Sequence, residues 1–401
     1  MLLSNPYEPD VRAQKEAHML ALAGYHVTVI AWDRSLSYPA RAEEEIPARL
    51  AAALAEWPGR SVATPQPVAI VRIRIRAGWR LGPRHLLPKI PAFWWRLFQE
   101  TRRARPAVVH AHQLDTLPVA HVFGRLHGVP VVYDAREYYA GMLAATAGRL
   151  ITGALERLDR WLTPRADAVL AVGERQAARH REMGGRVWIV HNSQPPSTMD
   201  AAAAAGRAWR RTFGVPEAAL LVAYVGNLSH DRLLTPVLEA VSRLDNVFLV
   251  VGGDGPSAPE VQAAASACPR IRALGRVPLA QVPHVVTASD VVYYGLNATD
   301  PNSFYFMPNL AFFAFAAGRP LLVTPVGEIA EVVRREQCGV VMEADTAAAA
   351  ETALHRLRDD SLRAALAARA QQLGRTEFNV TCTATRLLEA YASVQRTDPR
   401  R

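Results

Sequence analysis

The chain has 401 residues, 50% of them hydrophobic and 21% charged, which is too apolar for intrinsic disorder and long enough for two or three domains. Lysine and arginine number 46 against 37 acidic residues, a net charge of +9, and the basic set is almost wholly arginine, Lys15 and Lys89 being the two lysines. Cys268, Cys338 and Cys382 have no paired short spacing, which argues against a disulfide framework or a cysteine-rich metal site. Met1 to Leu3 is followed at once by Ser4-Asn5-Pro6, unlike a signal peptide, and no run approaches the roughly 20 apolar residues of a spanning helix, so a cytoplasmic protein is expected.

Short runs rich in Val and Ile alternate with stretches of helical period along the whole chain, the pattern of parallel sheets wrapped by helices. The first half predicts strands at 27–32, 68–75, 107–111, 129–133, 168–172 and 187–190, after a short first strand at 1–3. The second half predicts strands at 220–225, 247–251, 271–274, 291–294, 320–323 and 340–342. Two similar sets of about six strands imply two similar α/β domains. Asn192-Ser193-Gln194-Pro195-Pro196 and the run Ala201 to Ala205 mark the boundary. The expected division is a first domain over 1–196, a second over 207–380, and a final helical segment over 381–401 that packs back on the first.

Residues 69–105 hold ten Arg or Lys and one acid, Glu100, so the charge excess of the chain is local. Trp79, Phe93, Trp94, Trp95 and Phe98 lie in the same window. A basic face with an aromatic edge suits anionic lipid headgroups. The plainer reading is a strand, Val71 to Arg76, with arginines on its wet face, followed by a surface helix. No helix-turn-helix, zinc-finger or RNA-binding motif accompanies the charge, so nucleic acid is not expected.

Three predicted strands end in polar groups, where open α/β sheets bind ligands. At 107–118 an apolar run leads straight into His110, His112 and Asp115, with both histidines on one face if the strand continues. At 131–139 Asp134, Arg136 and Glu137 follow an apolar run, and at 188–192 His191 and Asn192 do. In the second half, 223–232 reads as a strand, a turn at Gly226-Asn227, and a helix whose first turn carries Arg232, a pattern that suits a pyrophosphate. Residues 250–256 form another strand with a glycine-rich end, and 308–320 reads as a buried helix, a glycine stop and a strand.

These motifs, in this order and spacing, resemble glycosyltransferase family 4, retaining nucleotide-sugar enzymes with the GT-B fold. The likeness runs from Asp10-Val11-Arg12, Glu16 and Gly24-Tyr25-His26 to Leu387-Leu388-Glu389-Ala390-Tyr391. His110-Ala111-His112, Leu114 to Pro118, Val132-Tyr133-Asp134, Tyr224-Val225-Gly226, and Pro308-Asn309 ahead of Gly318 carry it most specifically. The resemblance implies two Rossmann-like doubly wound domains facing across a cleft, with a C-terminal helix crossing back. It makes His112, His110 and Asp115 the catalytic set and His112 the group nearest the transferred sugar. It gives the donor Gly226, Asn227, Arg232, Arg276, Val277, Tyr305 and Asn309, and the acceptor Arg12, Arg136, Glu137 and Asn192. No metal or other cofactor is implied; the nucleotide-diphosphate sugar is a substrate, and the acceptor is a small molecule or lipid-linked. An anionic membrane could meet residues 69–105.

Some positions depart from the family pattern. Phe313 and Tyr305 stand where acids commonly meet the donor, Leu310 where lysine is common, Gln113 where an acid follows the histidine motif, and Arg136 where histidine is frequent. A ribose without its charged acceptor loses a hydrogen bond of about 1.5 to 3 kcal/mol. Three readings therefore compete: an active retaining transferase with an altered donor pocket, a non-catalytic relative that partners another transferase, and a membrane-associated binding protein.

Overall fold

The structure, a computed structural model of the chain, describes residues 1–61, 64–78 and 86–395. Trp79, Arg80 and Arg84 of the basic window lie outside the described residues. The chain divides into two compact units, Met1–His191 with the segment from Thr383, and Asn192–Cys382.

The strands of the first unit are β1 (Leu2–Leu3), β2 (Thr28–Asp33), β3 (Arg41–Glu44), β4 (Val68–Arg74), β5 (Val109–His112), β6 (Val131–Ala135), β7 (Ala168–Ala171) and β8 (Val187–Ile189). They form one sheet in the order β3-β4-β2-β1-β5-β6-β7-β8, parallel except for β3. The order reverses between β1 and β5, the switch point at which a doubly wound sheet opens a ligand crevice. Every residue of β5, β6 and β7 is buried, as parallel strands covered on both faces require. The main helices are α1 (Val11–Leu22), α2 (Ile90–Ala104), α3 (Leu117–His127), α4 (Ala144–Leu162) and α5 (Glu174–Glu182). Asp10 caps α1 by accepting from the Ala13 amide at 3.1 Å. Gly148, at φ 73°, breaks the helical path inside α4.

The second unit holds β9 (Leu220–Val225), β10 (Val247–Gly252), β11 (Ile271–Gly275), β12 (Val291–Tyr294), β13 (Leu321–Val323) and β14 (Gly339–Val341), with the order β11-β10-β9-β12-β13-β14. All its pairings are parallel, and the 3-2-1-4-5-6 arrangement puts its switch point between β9 and β12. Its helices include α6 (Pro196–Thr212), α7 (Thr235–Arg243), α8 (Asn309–Ala317) and α9 (Asp360–Thr376), and α10 (Val380–Gln395) closes the described chain. Phe312 and Phe315 of α8 pack with Phe378, ring centroids 5.6 and 4.9 Å apart. From Thr383, α10 packs within the first unit: Tyr391 meets Tyr25 edge-on at 5.3 Å, and Thr385 accepts from the Trp57 indole at 3.1 Å.

Four expectations need correction. Strand β3 was not anticipated, because Arg41-Ala42-Glu43-Glu44 has no apolar run; it is held by antiparallel pairing with β4 and by Glu44, which accepts from Gln14 at 3.2 Å and lies 3.2 Å from His18 Nε2. The face of β4 expected to be wet is partly covered: Arg72 is buried and donates to the Pro6 carbonyl at 3.1 Å, the Pro39 carbonyl at 3.2 Å and Glu8 at 2.7 Å. The division falls after His191, so Asn192 and the alanine run group with the second unit. There α6 packs on the helix Val282–Ala288, with Gly206 close to the Thr287 carbonyl. Arg232 lies outside any helix: it forms an isolated bridge with Leu296, and α7 begins at Thr235 with Pro236 in its first turn.

Candidate functional site

In the first unit the site is built where β5 and β6 end beside the switch point. His110 and His112, two apart on β5, project to one face, and their rings stack at 4.3 Å. Register places His112 opposite Asp134 on β6, and His112 Nδ1 lies 3.0 Å from Asp134 Oδ2. His110 Nδ1 lies 2.9 Å from the Tyr391 hydroxyl. Arg12, on the first turn of α1, reaches both Asp134 oxygens, at 2.6 Å through Nη2 and 3.0 Å through Nε, and donates Nη1 to the Val190 carbonyl at 2.5 Å. One turn further along α1, Glu16 lies 3.0 Å from Arg12. Its Oε2 is 3.6 Å from His110 Nε2 and 3.9 Å from His112 Nε2. None of these six side chains is more than 5% exposed.

Burial works against every charge in this cluster, and the partners decide which charges persist. Burial alone would raise the Asp134 carboxyl, but the Arg12 guanidinium and the His112 hydrogen bond hold it well below the usual carboxylate range. An ionised Asp134 only accepts, so His112 carries its proton on Nδ1 and keeps a lone pair on Nε2. Burial pushes His112 down and His110 well down, so both imidazoles stay neutral. Burial also pushes Glu16 above the usual carboxylate range, against the pull of Arg12. The ionic content of the cluster is thus one buried pair, Arg12 and Asp134.

Ligand atoms of Glu16, His110, His112 and Asp134 all lie within 4.8 Å of one another, a grouping that could hold a cation and that the sequence reading did not anticipate. Both Asp134 oxygens are engaged by Arg12 and His112, so the cation its carboxylate faces is the guanidinium.

The other assigned residues of this unit sit around the cluster. Asp115, in the turn after β5, accepts from the Tyr139 hydroxyl at 3.1 Å, its backbone carbonyl accepts from the Trp94 indole at 2.8 Å, and burial raises its carboxyl. Arg136 pairs with Asp10 at 2.7 Å, so the charge that replaces the family's histidine is anchored to the cap of α1. Gln113, at φ 70°, donates to Glu137 at 3.0 Å.

In the second unit, the turns after β9 and β10 are laced together. The Gly226 amide donates to the Gly252 carbonyl and the Leu228 amide to the Asp254 carbonyl, each at 3.0 Å; the Tyr224 hydroxyl donates to the Asn227 carbonyl at 2.8 Å. Gly253, at φ 151°, is obligatory: a Cβ there would stand 1.9 Å from the Gly226 carbonyl oxygen. Arg232 pairs with Asp231 and lies over the Phe306 ring at 4.4 Å and the Tyr294 ring at 5.5 Å. Arg276 is exposed just past β11, whereas Val277 packs against the face of Gly252. Asn309 opens α8 and its Oδ1 accepts from Gln194 at 3.2 Å; Tyr305 is half-buried ahead of it. Phe313 and Leu310 are buried on α8.

Sequence reasoning missed roles for Asp134, Glu16, Tyr391, Phe306 and Tyr294. The helical spacing of Arg12 and Glu16 was a usable signal; the pairing of Asp134 with Arg12, 122 positions away, was not.

Family models match both halves of the chain: the glycosyl transferase 4-like domain over residues 9–192 and glycosyl transferases group 1 over residues 219–360. Together they span well over half of it. The glycogen synthase of Mycobacterium tuberculosis is 23% identical over 307 residues, 74% of this chain and 70% of that protein. Among solved structures, sucrose-phosphate synthase from Thermosynechococcus elongatus superposes with a TM-score of 0.77 at 16% identity, covering 98% of each chain. HepE of Anabaena, solved in complex with UDP-glucose, does so with 0.69 at 14% identity, again covering 98% of each. Two parallel α/β domains with these neighbours give the GT-B fold, and the family models make the chain a glycosyltransferase. The chain belongs to glycosyltransferase family 4.

The raised carboxyl of Glu16 makes a prediction. Because its folded value lies above the unfolded one of about 4.3, its contribution to stability is complete at acid pH and is lost as pH rises through the folded value. Glu16→Gln should therefore gain on the native protein between about pH 4 and pH 8, by about 1 to 3 kcal/mol in urea denaturation. Parallel pH profiles for the two proteins would refute the assignment.

Proposed function

We propose that the chain moves a sugar from a nucleoside diphosphate donor to an acceptor hydroxyl with retention of anomeric configuration and without a metal ion. The observation that carries this reading is His112, held by Asp134 in the tautomer that leaves Nε2 as an acceptor at the end of β5. A hydroxyl of the sugar or acceptor donates to that lone pair and is oriented by it. Arg232 exchanges Asp231 for the donor diphosphate, whose charge grows as the bond from the anomeric carbon to the phosphate oxygen breaks. The acceptor oxygen bonds to the same face of that carbon and its proton passes to the leaving phosphate oxygen, so no separate general base is required. The family models and a structural neighbour solved in complex with UDP-glucose support a nucleotide-sugar donor. His110, Asp115, Arg12, Arg136, Glu137 and Asn192 are proposed to shape the acceptor side, and Gly226, Asn227, Arg276, Val277, Tyr305 and Asn309 the donor side. The acceptor is a small molecule or a lipid-linked one. A cytoplasmic setting suits three free cysteines, two of them buried.

One observation favours a second reading, a catalytically silent relative that partners another transferase. The place of the family's ribose-binding acid is filled by Phe313, buried on a helix whose neighbouring Leu310 is buried too. Calorimetric titration with UDP, GDP, ADP and dTDP separates the two: micromolar binding of one nucleotide supports transfer, and silence with all four supports the partner role.

Two variants test the assigned roles. His112→Ala should abolish transfer while circular dichroism stays native, and near-normal turnover would remove its role. Arg232→Ala should weaken binding of the nucleoside diphosphate by about 1.5 to 3 kcal/mol, as for a charge-assisted hydrogen bond. Unchanged affinity would displace the diphosphate site.

A further inference from the structure

Helices α2, α3 and α4 lie side by side on one face of the first sheet. Their inner residues, among them Phe93, Leu97, Phe123, Leu155 and Leu162, enter a single core cluster, so their outer residues share one surface. That surface is unusually apolar for a solvated face. Leu150 is 90% exposed, Leu126 68%, Trp95 62%, Val122 50% and Trp161 49%. Scattered single apolar residues would need no comment, but here they recur on all three adjacent helices.

The same surface is basic. On α2, Arg96, Arg102 and Arg103 are exposed; on α3, Arg125 is; on α4, Arg149, Arg157 and Arg160 are. No acid on these helices is exposed: Glu100 and Glu156 are half-buried, and Asp159 is buried against Arg179 at 2.7 Å. Arg102, Arg103, Arg105 and His127 also line an open groove of about 970 Å³ beyond the ends of α2 and α3. Arg165 lies 4.6 Å over the Trp161 ring, which joins a cation to an apolar anchor.

We propose that this α2–α3–α4 face docks on an anionic lipid bilayer, with the leucines and tryptophans entering the headgroup boundary and the arginines pairing with lipid phosphates. Arg103 and Arg160 already meet Glu100 and Glu156, but the arginines outnumber the acids, and charge complementarity selects the occupant: a second copy of the chain would bring the same cationic excess face to face, and a neutral partner would leave that excess unanswered. The proposal extends the membrane contact expected of residues 69–105. Arg72 of that window is buried and paired, but Arg74, Arg76, Arg96, Arg102, Arg103 and Arg105 are exposed, and the exposed charge continues onto α3 and α4. Trp94 on α2 also holds the backbone of Asp115, so the docking face adjoins the histidine-bearing strand end.

Co-sedimentation of the full chain with vesicles tests this, using equal parts phosphatidylglycerol and phosphatidylcholine against phosphatidylcholine alone. Partitioning should be at least about tenfold stronger on the anionic vesicles and should fall steeply between about 0.05 and 0.5 M salt. The triple substitution Arg149→Glu, Arg157→Glu, Arg160→Glu should abolish the anionic preference. The pair Leu150→Ser, Trp161→Ser should weaken binding about tenfold or more with far-ultraviolet circular dichroism unchanged. Equal binding to both vesicle types, no binding to either, or a triple variant that binds as the native protein does would overturn the proposal. A self-association that Leu150→Ser removes, without lipid binding, would give the face to a second copy. Nucleotide titration of the same variants separates this outcome from a failure of the transfer reading, because these residues lie outside the donor unit.

Discussion

An ion pair that never meets water organises the first unit. Arg12 and Asp134 are brought together from α1 and β6, and Arg12 also takes the carbonyl that follows β8. Removing either partner alone would strand the other as a buried charge, a loss of about 3 to 5 kcal/mol. The pair therefore fixes the position of α1 against the sheet, and with it Glu16. It also fixes the ionisation of Asp134, which dictates the tautomer of His112. The chemistry assigned to the histidine follows from an arginine whose side chain is fully engaged in holding the fold.

In the second unit the turns after β9 and β10 are held by backbone bonds. Two parallel strands end in turns that exchange amide and carbonyl bonds, and the approach is so close that only glycine fits at Gly253. Arg232 pairs with Asp231 and rests on Phe306 and Tyr294, and the position of the family's acid is the buried Phe313. That departure is the main reason to measure nucleotide preference rather than infer it from relatives.

Most of the fold was legible in the sequence because parallel strands buried on both faces read as continuous apolar runs, and every such run formed a strand within about two residues of its expected place. Strand β3 was illegible because pairing and the contacts of Glu44 hold it, and no apolar run announces it. The helix expected at Arg232 failed because a residue type that suits a helix start was read without the later Pro236, which sets the true start. The placement of His110, His112 and Asp115 at the end of β5 was legible in the sequence. The partners that decide their protonation were not, since Asp134, Glu16 and Tyr391 converge only once the sheet and α10 are folded.

The central claim is that burial keeps His112 neutral while Asp134, held ionised by Arg12, keeps the proton on Nδ1. Nitrogen-15 correlation spectra of the imidazoles, recorded from about pH 5.5 to 8.5, read tautomer and charge together. The account predicts the Nδ1-protonated neutral form at neutral pH and above, with any charging displaced to the acid side of the ordinary value of about 6.5. An imidazolium that titrates near the ordinary value of about 6.5, or a neutral ring protonated on Nε2, would contradict it.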